Sequence, residues 1–325
     1  MTEAIDFTGR RVSAPAGFEV VAYLDWHRRG YSFDLPAEDY HGINAFSSSS
    51  IEALKHSPLH YKAWREQPRK QTAAKTTGEL IHLAILEPAK FEAAEHYWVE
   101  PDRERNAAGS RKKRTGEQEA LLETMIRLGR LIVEQEDVDL ARAIAQQVYR
   151  HKLAAELLPQ CRPEVTLLWL DEETGAPCKA RIDALCMQSR AGRGIVDLKS
   201  TADASHDEFA RSAAGYNYHA QAAWYIHAHE VVFDSTPEFF AWLAVESGAP
   251  HGVAMYLAQS NAVLKGKEMA FDALRVYADA WIRNEWLGYS QLALPLILPQ
   301  WALRTRAPDP AVMGGDVITV EAKEK

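Results

Sequence analysis

Asp197, Leu198 and Lys199 close a short apolar run, Gly194-Ile195-Val196-Asp197-Leu198-Lys199-Ser200-Thr201. Read as a strand, the run turns Asp197 and Lys199 to one face and sends Val196 and Leu198 into packing. Opposite charges side by side on a largely buried strand call for a task. A second carboxylate, Asp183, stands on another apolar run, Ala180-Arg181-Ile182-Asp183-Ala184-Leu185. Residues 188–193 between the runs read as a hairpin loop, and antiparallel pairing would set Asp183 beside Asp197. Two carboxylates with a lysine at their shoulder can bind a divalent metal and activate water for phosphodiester cleavage. Taken alone, Asp-x-Lys is more often a surface salt bridge.

Four more residues have chemistry to offer, each with a plainer reading. His82 lies in an apolar helix over 78–88 stopped by Pro88, where a lone histidine is usually a core residue bonded to backbone. Glu164 opens a strand over 164–170 and reads by itself as a solvated strand-end charge. Gln221 and Tyr225 are four apart on a helix over 216–230, hence on one face. Alone they read as a tyrosine packed on a sheet with an amide at its edge. Arg69, Lys70, Lys75 and the run Arg111-Lys112-Lys113-Arg114 are a solvated face or a grip on phosphates.

These residues need a scaffold, and the period of the sequence supplies one. A serine among 47–50 caps a helix over 51–55, and 56–58 break it before a second helix over 59–66. A long helical region spans 117–158, with Leu121, Met125, Leu128, Leu131 and Ile132 at helical spacing and a second helix starting near 137. From Pro163 the period changes. Strands are expected at 164–170, 178–187 and 195–199, a meander carrying Glu164, Asp183, Asp197 and Lys199. Ser205 can cap a helix through 209. Further strands are expected at 238–245 and 253–258, then a long amphipathic helix over 261–286. Residues 1–38 read as an appendage, with 18–24 a strand or short helix. Residues 39–303 read as the main domain, and 304–325 as a flexible tail.

Composition sets the bounds. The chain has 325 residues, 47% hydrophobic and 25% charged, as in ordinary globular proteins. No apolar run reaches the length of a membrane span and the polar, acidic N-terminus is no signal peptide, so a cytoplasmic protein is expected. Cys161, Cys178 and Cys186 form no CxxC pair, are too few for a cysteine-only metal site and read as buried or partly buried thiols. A net charge of −8 disfavours indiscriminate nucleic-acid binding but not a local basic groove.

The order of these motifs resembles the PD-(D/E)XK nuclease superfamily, in the RecB-type branch and closest to RecE-like, exonuclease VIII-type nuclease domains. The resemblance runs from Tyr40 to about Leu303. It rests on Glu38-Asp39-Tyr40-His41, Gly78-x-x-x-His82 with Leu86-Glu87-Pro88, Asp197-Leu198-Lys199-Ser200-Thr201-Ala202-Asp203, Tyr216 to Gln221, and Leu298-Pro299-x-Trp301-Ala302. It implies an α/β, restriction-endonuclease-like core, a mixed central sheet flanked by helices. It implies that His82, Asp183 and Asp197, with the Leu198 carbonyl, hold Mg²⁺ or Mn²⁺. Lys199 would position the attacking water, Gln221 and Tyr225 would support the site or contact DNA, and Glu164 would hold a water on the metal. One departure is Asp197, where Glu is commoner.

The implied function is a Mg²⁺-dependent exonuclease that degrades the 5′-ended strand of linear double-stranded DNA. It would leave 3′ tails for a single-strand annealing protein, in phage or prophage recombination. A homo-oligomeric ring, with a tetramer favoured, is also implied. The rivals are an endonuclease or single-strand nuclease of the same core, and a non-catalytic DNA-binding protein that keeps the fold.

Overall fold

The structure, a computed structural model, describes residues 3–5, 11–13, 29–33, 35–67, 71–102 and 112–303. The expected element at 18–24, the bases Arg69, Lys70 and Arg111, and the expected tail at 304–325 lie outside the described residues. Residues 1–288 form one compact unit and residues 289–325 another. In the second unit, residues Gln300–Leu303 form a short helix.

The first unit is built on a six-stranded sheet. Strands β1 (Glu3–Ile5) and β2 (Arg11–Ser13) pair with each other. The sheet itself uses β3 (Arg29–Ser32), β6 (Arg162–Leu170), β7 (Pro177–Ser189), β8 (Gly192–Thr201), β9 (Phe239–Glu246) and β10 (Val253–Leu257). Its order is β10-β9-β8-β7-β6-β3. Every neighbouring pair is antiparallel except β8 and β9, which run parallel. The sheet is therefore mixed and flanked by helices, as expected, and it is mostly antiparallel. The parallel step needs a crossover, and the helices His206–Gly215 and Tyr218–Phe233 provide it.

Two cores cover the two faces of the sheet. Val165, Leu167 and Trp169 of β6, Cys178, Ala180 and Ile182 of β7, and Phe240 and Trp242 of β9 pack with Phe46, Tyr61, Trp224 and Tyr277. Ala184, Cys186, Val196, Leu198, Leu243 and Val245 pack instead with Leu80, Ile81 and Ile85 of the helix Ala73–Leu86 and with Ile144 and Val148 of Gln135–Arg150. Along β7, Cys178, Ala180 and Ile182 serve the first core, but beyond Asp183 it is Leu185 that does so while Ala184 and Cys186 serve the second. Asp183 stands where the phase of the strand flips, a shift that alternation alone does not allow.

The local chemistry of the helix starts is regular. Ser47 and Ser50 make a reciprocal capping box for Ser48–Leu54. Ser57 caps Pro58–Glu66, with proline at the first position. Thr72 caps the His82 helix by accepting from the Lys75 N–H at 3.3 Å.

Two expectations fail. The helical region expected over 117–158 is interrupted. The helix Gly116–Arg127 ends before Gly129, whose φ of +70° only glycine adopts freely. Leu131 and Ile132 then lie in a strand, β5 (Leu131–Val133), paired in parallel with β4 (Tyr97–Val99). Apolar residues three or four apart fit a helix until a backbone stop intervenes. The cysteines also differ from their reading: Cys161 and Cys186 form a disulfide, and Cys178 alone is a buried thiol. Cys161 precedes β6, directly opposite the stretch of β7 that holds Cys186, because Arg162 pairs with Leu185. No described helix is long and apolar enough to cross a membrane.

The long helix Ser260–Arg283 lies against Tyr218–Phe233 at Gly266. A Cβ added there would meet the His219 carbonyl oxygen at 2.0 Å. Gly266→Ala is expected to cost about 1–3 kcal/mol by overpacking and lower the melting temperature by several degrees. It should also lower activity, because it displaces the turn carrying Tyr218 and Gln221. Thermal melting and a cleavage assay check both effects.

Candidate active site

β7 and β8 pair from Ser189↔Gly192 to Ala184↔Val196, and the registered pairs end there. Asp183 and Asp197 are the next residue on each strand. The strands part at the two carboxylates, and the Asp183 side chain takes over from the ladder: its Oδ2 accepts the Leu198 N–H at 2.9 Å. On the other side, β6 and β7 pair through Pro163↔Ala184 and Val165↔Ile182, which sets Glu164 across from Asp183. Glu164 has φ +54°, a left-handed backbone that costs a non-glycine residue free energy and often marks a functional site.

The His82 helix approaches from the second core. His82 Nδ1 lies 4.0 Å from Asp183 Oδ2, and the ring is 30% exposed. One ligand atom from each of His82, Glu164 and Asp183 lies within 4.8 Å of the others. Asp197 is fully buried and lies beside this cluster, where it feels the Asp183 carboxylate and its own charge acts on His82. Its Oδ2 pairs with Lys199 Nζ, while Oδ1 is buried with no hydrogen-bond donor among the described residues.

A buried carboxylate oxygen without a donor is costly unless a cation completes it. The donor set of carboxylates and one imidazole suits a hard or borderline divalent cation. The residues therefore fit a metal. His82, Asp183 and Glu164 form the tightest group, with Asp197 and the backbone of Leu198 beside them. Glu164 was expected to hold a water on the metal, and the structure places its carboxylate in this group.

The electrostatics agree with that fit. Burial pushes both Asp183 and Asp197 up to about 6, against the pull of Lys199. Burial lowers the His82 pKa, partly offset by the Glu164 carboxylate, so the imidazole is neutral at pH 7, the state that ligates metal. Lys199 loses solvation, but Asp197 and Asp183 more than compensate and its pKa rises. It is a charged ammonium, 5.0 Å from the centre of the Tyr218 ring.

The Tyr218–Phe233 helix closes the site from the first core. Gln221 Nε2 donates to the Tyr225 hydroxyl at 3.0 Å. Tyr225 is buried and lies within the field of both aspartates, so its pKa rises and its hydroxyl keeps its proton.

Two residues of the site carried no role in the sequence reading. Arg181 pairs with Glu164 and donates to the Leu35 carbonyl at 2.7 Å, holding the Glu164 carboxylate in place. Tyr218 lies under Lys199. Arg181 had a legible signal: a charge two residues before Asp183 on a buried run, the same argument that singles out Asp197 and Lys199. Tyr218 had none beyond its place in the motif. Of the described bases expected to grip phosphates, Lys75 pairs with Glu79 at 3.6 Å and Arg114 with Glu100 at 2.8 Å.

A mixed sheet that splays at two aspartates, with a lysine two residues beyond the second, defines the PD-(D/E)XK class. The chain belongs to the family described as "PDDEXK-like domain of unknown function (DUF3799)", which matches residues 47–293. Among solved structures it is similar to a "putative exonuclease" from Eubacterium rectale, at 14% identity with a TM-score of 0.51, over 83% of this chain and 98% of that one. At that identity the likeness concerns the fold. A second structure, SSO0001, aligns over 42% of this chain and 67% of its own at 13% identity, and its TM-score of 0.24 carries no weight. No curated protein matches the chain. Family and fold together support a nuclease.

Proposed function

We propose that the protein is a Mg²⁺-dependent exonuclease that acts on linear double-stranded DNA. The observation that carries the reading is the meeting of His82, Glu164, Asp183 and Asp197 beside a charged Lys199, on strands that part at that point. His82, Asp183 and Glu164, with Asp197 and the Leu198 backbone, would hold the cation. When bound, it supplies Lewis-acid polarisation of the scissile phosphate.

The chain's own groups do the rest. Lys199, kept protonated by Asp197, offers donors and positive charge to the attacking water and to the charge that grows on the phosphate. Asp197 fixes the direction of that ammonium. Tyr225, held by Gln221, keeps an O–H donor beside the carboxylates, and Arg181 holds Glu164 against rotation. The cores on either side exclude bulk water and strengthen each of these interactions.

The finer reading follows the RecE-like resemblance: digestion of the 5′-ended strand, 3′ single-stranded tails, and an annealing partner in recombination. A ring of identical subunits, a tetramer, would thread the duplex, with bases such as Lys75, Lys112 and Lys113 facing it. Residues 39–303 would form the nuclease domain. The description of the Eubacterium rectale protein as an exonuclease agrees with an end-directed activity.

Linear and covalently closed circular duplexes of one sequence provide the test. The linear form is expected to disappear in Mg²⁺ while the circle stays intact. Opening of the circle would replace this reading with an endonuclease, and survival of both would leave a non-catalytic DNA-binding fold.

A further inference from the structure

Tyr216 is 73% exposed, yet it is not a loose side chain. It ends the helix His206–Gly215, with its N–H donating to the Ser212 carbonyl at 2.9 Å. The next residue, Asn217, adopts φ +56° and starts the helix Tyr218–Phe233. Asn217 Nδ2 donates to Glu52 Oε2 at 2.8 Å, and the Asn217 carbonyl accepts the Ala220 N–H at 2.9 Å. The turn between the helices is therefore tied down on both sides. This kink brings the Tyr216 ring over the Tyr218 ring, 5.7 Å apart and 23° from parallel. The Tyr218 ring in turn carries Lys199 Nζ at 5.0 Å. An exposed aromatic face thus lies two short steps from the catalytic lysine, on a rigid turn.

Burying one aromatic face and presenting the other to water suits a flat, aromatic ligand. A nucleic-acid strand offers such a ligand in its bases, and base–aromatic stacking tolerates every sequence because every base has a π-face. Inside a duplex both faces of a base are covered by its neighbours. A base can lie on Tyr216 when it is unpaired, at an end or at the junction where the strands separate, or as the outer face of a terminal pair. Resting on the nuclease reading above, we infer that Tyr216 is the stacking platform for an unpaired nucleobase close to the scissile phosphate. The enzyme's substrate at this site is then a locally melted end, and the platform holds the strand being cut while its partner leaves.

Preorganisation makes the platform effective. The turn is held before DNA arrives, so stacking does not have to order it. Its exposure also means that its removal should leave the fold unchanged.

The test pairs a protein change with a DNA change. The Tyr216→Ala and Tyr216→Trp variants and the parent are assayed for kcat/KM on linear duplex DNA, with an abasic tetrahydrofuran nucleotide walked through the terminal positions of each strand. The parent should lose about tenfold when the stacked base is missing. Tyr216→Ala should lose about tenfold on normal DNA and nothing further at that abasic position, whereas Tyr216→Trp should behave like the parent. Losses that multiply at every position would place Tyr216 in some other role, such as a contact between copies, and overturn the inference. Parental rates for Tyr216→Ala on normal DNA would overturn it as well. Either result is distinct from failure of the nuclease reading, in which the parent digests no linear duplex.

Discussion

Lys199→Met and Asp197→Asn are each expected to lower DNA cleavage by about 10²–10³-fold or more, while DNA binding persists. Lys199→Met keeps an apolar stem over Tyr218 but removes the charge that faces the phosphate. Asp197→Asn removes the partner that keeps Lys199 directed and the oxygen that has no donor of its own. Both substitutions preserve volume, so the fold should survive and melting should shift by only a few degrees. Filter binding to end-labelled duplex, alongside digestion of the same duplex, separates the two properties. Parental cleavage by either variant would mean that the chemistry resides elsewhere. Loss of binding together with cleavage would mean that these residues recognise DNA rather than cut it.

The second large effect is a linkage between pH, metal and stability. Asp183 and Asp197 are pushed up to about 6 in the folded protein, against about 3.9 for an unperturbed aspartate. Folding thus takes up protons between pH about 4 and about 6. Their contribution to stability is fully present below the unfolded value and is lost as pH rises through the folded one. At pH 8, metal-free, each buried charge costs on the order of 3 kcal/mol. Adding Mg²⁺ or Mn²⁺ at pH 8 should raise the melting temperature by several degrees. At pH 5, where protons occupy the same oxygens, it should do little.

Asp183→Asn isolates the effect from all other titrating groups. The amide oxygen can still accept the Leu198 N–H, but the charge is gone. The metal-free variant should melt above the parent at pH 8 and respond to neither metal. Cleavage by the parent should fall as pH drops through about 6, since both carboxylates must be ionised to hold the cation. A metal response in Asp183→Asn equal to the parent's would remove Asp183 from the ligand set.

Much of this site was legible because burial makes charge conspicuous. Asp183, Asp197 and Lys199 stand on runs too apolar to be solvated strands, and the pairing that brings the aspartates together follows from the hairpin. The helices bearing His82 and Tyr225 were visible from their apolar period. What escaped depends on backbone detail that side-chain pattern does not encode. Glu164 was legible as a strand-end carboxylate at the site, but its left-handed backbone, φ +54°, was not. The strand at Leu131 and Ile132 continues the spacing of the preceding helix, and only the stop near Gly129 ends it. Cys161 and Cys186 are 25 residues apart with no motif to join them, and they meet only because β6 and β7 lie side by side.

End-labelled linear duplex DNA, incubated with the parent and with Asp197→Asn, with and without Mg²⁺, tests the central claim most directly. The label should be released by the parent only when Mg²⁺ is present, and by the variant at no more than about a hundredth of that rate. Equal release without metal, or equal release from Asp197→Asn, would contradict the claim.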